Sequence, residues 1–542
     1  MKKYLMRGGI SPLESMRISE IVVDNKIGDN SGNLVYLYSV MRSLMTEDTQ
    51  IDMDQYDIEM GRYDSKKIDR INSEYAAYIL PLADAFRGDY VNKLNNLTRF
   101  INGVKIPVYL IGVGLRASLD EDPANKHPYD DAVKAFLSAV LKKSAIAGLR
   151  GERTGAYLKG LGFVPEKDFT VIGCPSLYGF GRELGQRELH LSPESRISIN
   201  YGYSFSPEIR KWLNEQIMNY EHSQFVGQQV KDLWLLYYGF PYHYRDRPQD
   251  YKIDWKAVEA DTDSYPLGLK HPFMQTDRVR FFVDPRTWIR DMNTVDLSIG
   301  GRFHGSVAAI LGGAPAYVIC TDSRMKELAE YHGIPHTTVK EMKLTGSLEE
   351  YMEGIDPRIP QSRQDACFGH FLDFLRKNEI PSIYDEDPER KDAPLDQATD
   401  VSFEFEEVTN VLRCTPDEIT NRVNEHNLLY VEWYRNLNER RMAKKDKELD
   451  ELKKKLKAAE SRYDRLAGEG DAARSEELEQ KLKKLTEEYE ATKQREEAAK
   501  KREEECREEL KKAKLQLSRT TVKKAISAAD LGRKVLGKKP IE

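Results

Sequence analysis

The stretch TVDLSIGGRFHGSVAAILGGAPAYVI (residues 294–319) has the pattern of a β-strand, a glycine turn, a short helix, a second glycine turn and another strand. Gly300 and Gly301 permit a tight exit from the first strand, and we expect a helix to begin over residues 305–311. Continuous apolar strands that alternate with helices are typical of a parallel sheet covered on both faces. This stretch therefore predicts an α/β fold.

The same alternation extends over most of the first 330 residues and forms two series, separated by a Gly/Pro/Ser-containing connection at 173–195. Strands of the first series are predicted at 21–25, 51–57, 76–82, 106–114, 144–150 and 169–173. Strands of the second series are predicted at 196–203, 232–239, 279–284, 294–300 and 314–320. The pattern predicts two Rossmann-like domains that face a cleft, with ligands bound at the carboxyl ends of the strands.

The composition changes near residue 440, where Lys and Glu become dominant. Met442, Leu449, Leu456 and Tyr463 are spaced by seven residues, which is the signature of a coiled coil; a single solvated charged helix is the alternative. The final segment is basic and amphipathic, and either lies on an anionic membrane surface or simply ends the coil. The predicted domains are an N-terminal Rossmann-like domain (1–190), a C-terminal one (191–345), a helical or irregular extension (346–438), a coiled coil (439–517) and a basic tail (518–542).

Composition excludes several classes of protein. The net charge of −6 gives no overall basic field, so we expect no nucleic-acid partner. No stretch approaches the roughly 18–20 apolar residues that span a bilayer, and the N-terminus lacks an apolar signal core. The five cysteines form no C-x-x-C pair, and the histidines lack metal-ligand spacing. We therefore expect a cytoplasmic protein, with membrane association a possibility raised by the tail, and without a metal.

The strongest candidate site lies in the opening stretch. Arg302 offers a bidentate fork for a carboxylate or phosphate, and His304 is the side chain best suited to proton transfer near neutral pH. Gly305 and Ser306 open the helix, whose N-terminal N–H groups favour an anion. From the residues alone, a polar pair that merely closes a loop is an equally good interpretation.

Two other segments could contribute to the same site. Arg150 ends the fifth predicted strand, where it could reach into the cleft and meet an anion. The loop of residues 28–33 suits a phosphate or sugar hydroxyls, although it is not G-x-G-x-x-G and lacks the Walker lysine. Its candidate binding residues are Gly28, Asp29, Asn30, Gly32 and Asn33.

Taken in order, these segments resemble the polysaccharide pyruvyl transferase family over about residues 24–330. The resemblance rests on the 28–33 loop, VYLIGVGL (108–115), GLRGERTGAYLKGLGF (148–163), VIGCPSL (171–177) and DLSIGGRFHGSVAAILGGAPAYVICTDSRMKEL (296–328). Departures are the reversed order of the Gly-Asp and Gly-Asn pairs in the first loop, the LPLADAF segment (80–86), and a glycine after the arginine of the fifth strand.

The resemblance implies GT-B-like enzymes that transfer the enolpyruvyl carbon of phosphoenolpyruvate onto two hydroxyls of a sugar, making a cyclic pyruvate ketal. It implies that Arg302 and His304 form the R-x-H motif with His304 as the acid, that Arg150 helps to bind the anion, and that phosphoenolpyruvate is the donor substrate without any cofactor.

We therefore expect an enzyme acting on a sugar of a surface polysaccharide or its precursor, forming a homo-oligomer through the coiled coil. Two alternatives remain open: a GT-B glycosyltransferase that uses a nucleotide sugar, and a non-catalytic coiled-coil scaffold.

Overall fold

The computed structural model describes residues 1–239 except residue 15, 265–400, 408–469, and 479–501 except residues 495 and 499. The chain divides into two compact units. The described residues of the first unit lie within Met1–Cys414, and the second unit begins at Thr415.

The N-terminal half of the first unit is built on parallel strands. These are β1 (Lys2–Met6), β2 (Thr49–Met53), β3 (Ala77–Pro81), β4 (Val108–Ile111), β5 (Ala147–Leu149) and β6 (Phe169–Val171). The first four strands have the order β2-β1-β3-β4, and the pair β5-β6 follows β4 through a parallel bridge between Val113 and Leu149. The helices of this half are α1 (Ile18–Asp24), α2 (Gly32–Leu44), α3 (Ser65–Glu74), α4 (Val91–Gly103), α5 (Asp130–Leu141) and α6 (Glu152–Gly160).

The C-terminal half contains a six-stranded parallel sheet with the order β12-β11-β10-β7-β8-β9. Its strands are β7 (Ile197–Asn200), β8 (Gln224–Gly227), β9 (Val279–Phe281), β10 (Leu297–Gly300), β11 (Ala316–Cys320) and β12 (His336–Thr338). Its helices are α7 (Pro207–Met218), α8 (Val230–Tyr238), α9 (Pro272–Gln275), α10 (Pro285–Met292), α11 (Phe303–Leu311) and α12 (Ser323–His332).

The predicted α/β fold with parallel sheets is confirmed. The opening stretch folds as β10, α11 and β11, and both strands are buried at every residue, as expected for a sheet covered on both faces. Gly300 is required at the end of β10, because a Cβ there would lie 1.9 Å from the carbonyl oxygen of Asn200.

Two predicted strands are wrong. Residues 21–25 belong to helix α1, and residues 232–239 belong to helix α8 and its C-cap. Short, wholly buried apolar runs do not distinguish a strand from a helix by periodicity. The capping residues do: Asn25 and Gly239 end the two helices in the left-handed conformation, with φ of 51° and 77°. Strands β1, β8 and β12 were not predicted.

The residues that follow β12 in the first unit pack against both of its halves. The helices here are α13 (Leu348–Met352), α14 (Ile359–Lys377) and α15 (Pro394–Asp400). From α14, Phe371 stacks on Tyr178 with ring centroids 4.9 Å apart. From α15, Asp396 forms an ion pair of 2.6 Å with the buried Arg42. Helices α14 and α15 therefore contribute to the core of the N-terminal half. Helix α13 packs against the C-terminal half, where Tyr351 lies 5.4 Å from Trp212 between ring centroids.

The second unit contains the long helix α16 (Pro416–Glu469), and residues 479–494 are also helical. In α16 the heptad positions Met442, Leu449, Leu456 and Tyr463 are partly covered while most of their neighbours are exposed. An ion pair of 3.8 Å joins Asp446 to Lys500. The coiled coil itself stays a prediction, and its last part (502–517) and the basic tail (518–542) lie outside the described residues. None of the helices in the described part of the chain has the length and hydrophobicity to cross a bilayer.

Candidate active site

His304 is partly exposed at the start of α11, where residues of the N-terminal half surround it. Its ring stacks on that of Tyr36 from α2, with centroids 6.1 Å apart and an interplanar angle of 29°. Its Nε2 lies 4.0 Å from the Sγ of Cys174, which follows β6. A Cβ on Gly32 would lie 2.6 Å from the Cβ of His304, so the glycine allows α2 to approach this closely. The two halves of the first unit therefore meet at His304.

The loop of residues 28–33 is closed by its own side chains. The Oδ1 of Asn30 accepts the N–H of Gly32 at 2.7 Å, and the Nδ2 of Asn33 donates to the carbonyl of Gly28 at 3.0 Å. The backbone N–H of Asp29 donates to Asn25 at 2.7 Å. These bonds occupy polar groups that the sequence analysis assigned to ligand binding.

The loop is also attached to the C-terminal half. The N–H of Ser31 donates to the carbonyl of Gln228 at 2.8 Å, and Asn30 forms a bridge with Gln229. The structure therefore brings the predicted loop to His304, and Gly32 is the residue of the loop that packs against it.

Arg150 follows β5 directly and is 1% exposed. Its Nε donates to the carbonyl of Gly112 at 2.6 Å, and its guanidinium lies 5.0 Å from the centroid of the Tyr36 ring. Its Nη2 is buried without a hydrogen-bond partner. Because Tyr36 contacts both Arg150 and His304, these two predicted site residues belong to one cluster.

Arg302 points elsewhere. Its guanidinium packs against Gly202 of the C-terminal half, and its backbone N–H donates to the Oδ1 of Asn200 at 2.9 Å. Burial raises the pKa of Asp232, and the charge of Arg302 opposes that rise. Arg302 and His304 are therefore neighbours in sequence whose side chains have different surroundings.

The next two residues of the motif lie at the start of α11. Gly305 packs against Gln228 and Asn200. The Oγ of Ser306 is buried without a hydrogen-bond partner.

A second arginine approaches the cluster from the C-terminal half and was missed by the sequence analysis. Arg324, in the first turn of α12, donates to Asp84 at 3.1 Å and to Asp322 at 3.2 Å, and its Nε is buried without a hydrogen-bond partner. Asp84 also accepts from Arg87 at 3.3 Å. Burial alone would raise the pKa of Asp84, but Arg324, Arg87 and Arg116 outweigh it and lower the pKa to about 2.

The electrostatics of this cluster keep His304 neutral. Burial lowers the pKa of His304, Arg150 and Arg324 lower it further, and Asp84 opposes them, so that the pKa falls to about 3. The imidazole is therefore uncharged at pH 7, in a place where two arginines lie close by. Such a site attracts anions.

The signal for Arg324 was present in the sequence. It follows a buried strand of a parallel sheet and stands in the first turn of the next helix, where such sheets bind ligands. Tyr36 and Cys174 carried no comparable signal, since an aromatic residue in an apolar helix and a buried cysteine usually belong to the core.

The described residues show no group of three or more His, Cys, Asp or Glu side chains that could hold a metal ion. Four cysteines, Cys174, Cys320, Cys367 and Cys414, are buried and form no disulfide bond among the described residues, and Cys506 lies outside them.

Comparisons with known proteins place the chain in a family. No curated protein matches it significantly. Solved structures that it resembles include an uncharacterized protein of Klebsiella pneumoniae (13% identity, 61% of this chain and 88% of that one, TM-score 0.30). They also include S. aureus MnaA with UDP (12%, 69% and 96%, 0.35) and the UDP-GlcNAc 2-epimerase of Neisseria meningitidis bound to UDP-GlcNAc (11%, 70% and 100%, 0.34). Similarities this weak carry no functional argument. The family model of polysaccharide pyruvyl transferases matches residues 49–323, just over half of the 542-residue chain, and the chain therefore belongs to this family.

Proposed function

We propose that this protein transfers the enolpyruvyl group of phosphoenolpyruvate onto a sugar of a surface polysaccharide or its precursor and forms a pyruvate ketal. Membership of the family supports a transferase. The observation that carries the donor is a pair of arginines beside His304: Arg150, which is buried, and Arg324, which is partly exposed. Each has a buried guanidinium nitrogen that lacks a hydrogen-bond partner. Phosphoenolpyruvate carries a phosphate and a carboxylate on three carbons, and two guanidinium groups suit these two anions.

The chemistry requires one proton donor. His304, once protonated, gives its proton to the methylene carbon of phosphoenolpyruvate, which makes C2 electrophilic. A sugar hydroxyl attacks C2 and loses its proton to the imidazole. The C2–O bond to phosphate then breaks, the second hydroxyl closes the ring on C2, and the departing phosphate takes the proton of that hydroxyl. The products are the cyclic ketal and inorganic phosphate, so that no atom is left over.

The other predicted site residues take supporting roles in this proposal. We assign Ser306, whose buried Oγ lacks a hydrogen-bond partner, and the start of α11 to the phosphate, because helix N-termini favour anions. Arg302 adds positive charge on the side of the C-terminal half. The loop of residues 28–33 shapes the acceptor side, in a GT-B-like arrangement of the two halves.

The test is turnover of the whole chain with phosphoenolpyruvate and a panel of sugar acceptors that carry paired hydroxyls. We expect phosphate release together with the mass increment of a pyruvate ketal on the acceptor. His304→Gln should lower the rate about 10²–10⁴-fold, as loss of a general acid does. The matched control is His336→Gln. His336 is partly buried at the start of β12, and its ring contacts the carbonyl of Ile334. Release of a nucleoside diphosphate from a nucleotide sugar, with phosphoenolpyruvate left intact, would instead identify a glycosyltransferase.

We also propose that the predicted coiled coil makes the protein a homo-oligomer in the cytoplasm and that the basic tail adds contact with an anionic membrane. Truncation after Leu437 removes both segments. The truncated chain should keep its activity on soluble acceptors and show a lower mass in light scattering. An unchanged oligomeric state would refute the role of the coil.

A further inference from the structure

Helix α6 begins without a cap of its own. Its N-cap residue is Gly151, which has extended backbone angles (φ −169°, ψ 171°) but no side chain. An N-cap side chain ordinarily accepts the N–H of the third helical residue, which here is Thr154. That N–H donates instead to the Oε2 of Glu327 at 3.0 Å, and the Oγ1 of Thr154 donates to Oε1 at 2.8 Å. Glu327 belongs to α12, in the other half of the unit, and caps α6 from there.

The Glu327 carboxylate fills the space that a side chain at position 151 would need. A Cβ on Gly151 would lie 2.6 Å from the Oε2 of Glu327. Thr154 is fully buried and Glu327 is 5% exposed, so water does not replace the carboxylate in this contact. The Oγ1 of Thr154 also accepts the N–H of Leu115 at 3.0 Å, which continues the connection to the segment after β4.

The capped end of α6 holds Arg150. Arg150 stands directly before the N-cap, and its backbone N–H donates to the carbonyl of Val113 at 2.9 Å. Arg324 lies one helical turn before Glu327 on α12, so the two side chains share a face of that helix. At the start of α12, the Oγ of Ser323 accepts the N–H of Ala117 at 3.2 Å. One helix therefore carries Arg324 and fixes the segment that bears Arg150.

We propose that Glu327 is a positioning residue of the anion site: by capping α6 from the opposite half, it sets Arg150 relative to Arg324. This inference rests on the proposed function, since it assumes that both arginines bind the donor.

The charged groups around Glu327 come from three helices. Arg150 and Arg153 approach it from the N-terminal half and Arg324 from its own helix. Arg363 and His370 of α14 line the adjoining cavity of about 670 Å³. Burial raises the pKa of Glu327 to about 7 in spite of the bonds from Thr154 and the charges of Arg150 and Arg153. The carboxyl is therefore costly to bury, which favours a role beyond packing.

The experiment is a reciprocal exchange of the cap in the full chain. Glu327→Ala removes the cap, Gly151→Asp alone places a second carboxyl against Glu327, and the double variant returns the cap to position 151. The control is Glu330→Ala, on the same helix, whose carboxylate pairs with Lys326 at 3.9 Å. The measurements are the affinities for phosphoenolpyruvate and for inorganic phosphate, and hydrogen exchange in the peptide that covers residues 150–160.

We expect each single variant at positions 327 and 151 to bind both anions about tenfold more weakly, the size of a lost N-cap, and to exchange faster at the start of α6. The double variant should recover most of the affinity and protection. Should Glu327→Ala fail to fold, recovery of folding in the double variant is the expected rescue. Anion affinities of Glu327→Ala equal to those of the wild type, or a double variant no better than Glu327→Ala, would overturn the proposal.

The outcomes also separate the two proposals. A wild-type chain that binds phosphate and shows the rescue but never consumes phosphoenolpyruvate refutes the proposed function alone. Turnover of phosphoenolpyruvate without any effect of the cap refutes the role of Glu327 alone. A wild-type chain that binds neither anion overturns both.

Discussion

Binding of a phosphate-bearing anion should be coupled to uptake of a proton by His304. In the free protein the pKa of His304 is about 3, because burial and the charges of Arg150 and Arg324 outweigh Asp84. A ligand that places negative charge on those arginines acts in the opposite direction and favours the imidazolium. The proposed acid would thus acquire its proton only when the donor is present.

The size of the effect follows from the geometry. Arg150 and His304 both lie against Tyr36, at 5.0 and 6.1 Å from its ring centroid. A unit negative charge roughly 7 Å from the imidazole, at an effective dielectric constant of about 20, contributes about 2.4 kcal/mol and raises the pKa by about 1.7. A phosphate dianion raises it about twice as far. Starting from about 3, the pKa in the complex should lie between about 6 and 7, which suits a general acid at neutral pH.

Isothermal titration calorimetry in buffers of different ionisation enthalpy measures this proton directly. At pH 6.5 we expect the wild type to take up about half a proton more per bound phosphoenolpyruvate than His304→Gln, since the free imidazole is uncharged there and the bound one is half protonated. The variant corrects for protons that the ligand itself releases. Equal proton uptake by the two proteins, with both binding the ligand, would refute the electrostatic reasoning.

Three further outcomes test other parts of the structure. Arg150→Met should weaken phosphoenolpyruvate binding at least tenfold, since a charged hydrogen bond contributes about 1.5–3 kcal/mol. Titration calorimetry measures the affinity, and the melting temperature of the variant shows whether it is still folded. Gly32→Ala should lower activity and cost about 1–3 kcal/mol of stability, because its Cβ would overpack against His304. The control is Gly160→Ala, whose Cβ has no atom within 4 Å, and it should leave both the turnover rate and the free energy of unfolding unchanged. Burial alone would raise the pKa of Glu59, but its cationic neighbours outweigh burial and lower the pKa to about 2. About 3 kcal/mol of the free energy of unfolding, present above pH 4.5, should therefore disappear as the pH falls towards 2. Urea titrations that show no such loss in the wild type, or the same loss in Glu59→Gln, would contradict this.

Much of the fold was predictable because the parallel sheets are buried on both faces. Their strands appear in the sequence as continuous apolar runs between glycine turns, as at 294–319, and this pattern depends on burial alone. The same property explains the errors at 21–25 and 232–239. A buried helix and a buried strand are equally apolar over five to eight residues, and only the capping residues distinguish them.

The candidate site was predictable only where a residue stands at the carboxyl end of a strand. Arg150 and His304 satisfy that rule, and the structure brings both to Tyr36. Arg302 satisfies it too, but its guanidinium packs against Gly202 of the C-terminal half. The short distance from Arg302 to His304 in sequence does not fix the direction of either side chain. The loop of residues 28–33 has the polar composition of a binding loop, yet Asn30 and Asn33 are used to hold the loop itself together.

The long-range contacts that the sequence could not reveal share one helix. Along α12, Ser323, Arg324, Glu327 and His332 each bond a group of the N-terminal half: the backbone of Ala117, Asp84, Thr154 and the backbone N–H of Cys174. These positions follow no local motif, since each partner lies more than 150 residues away in the chain. The helix thus connects β11 to the loops that carry Arg150, Asp84 and Cys174, all of which border His304. The distance between Arg150 and Arg324 in the proposed anion site therefore depends on bonds between residues far apart in the chain, which no local pattern of the sequence records.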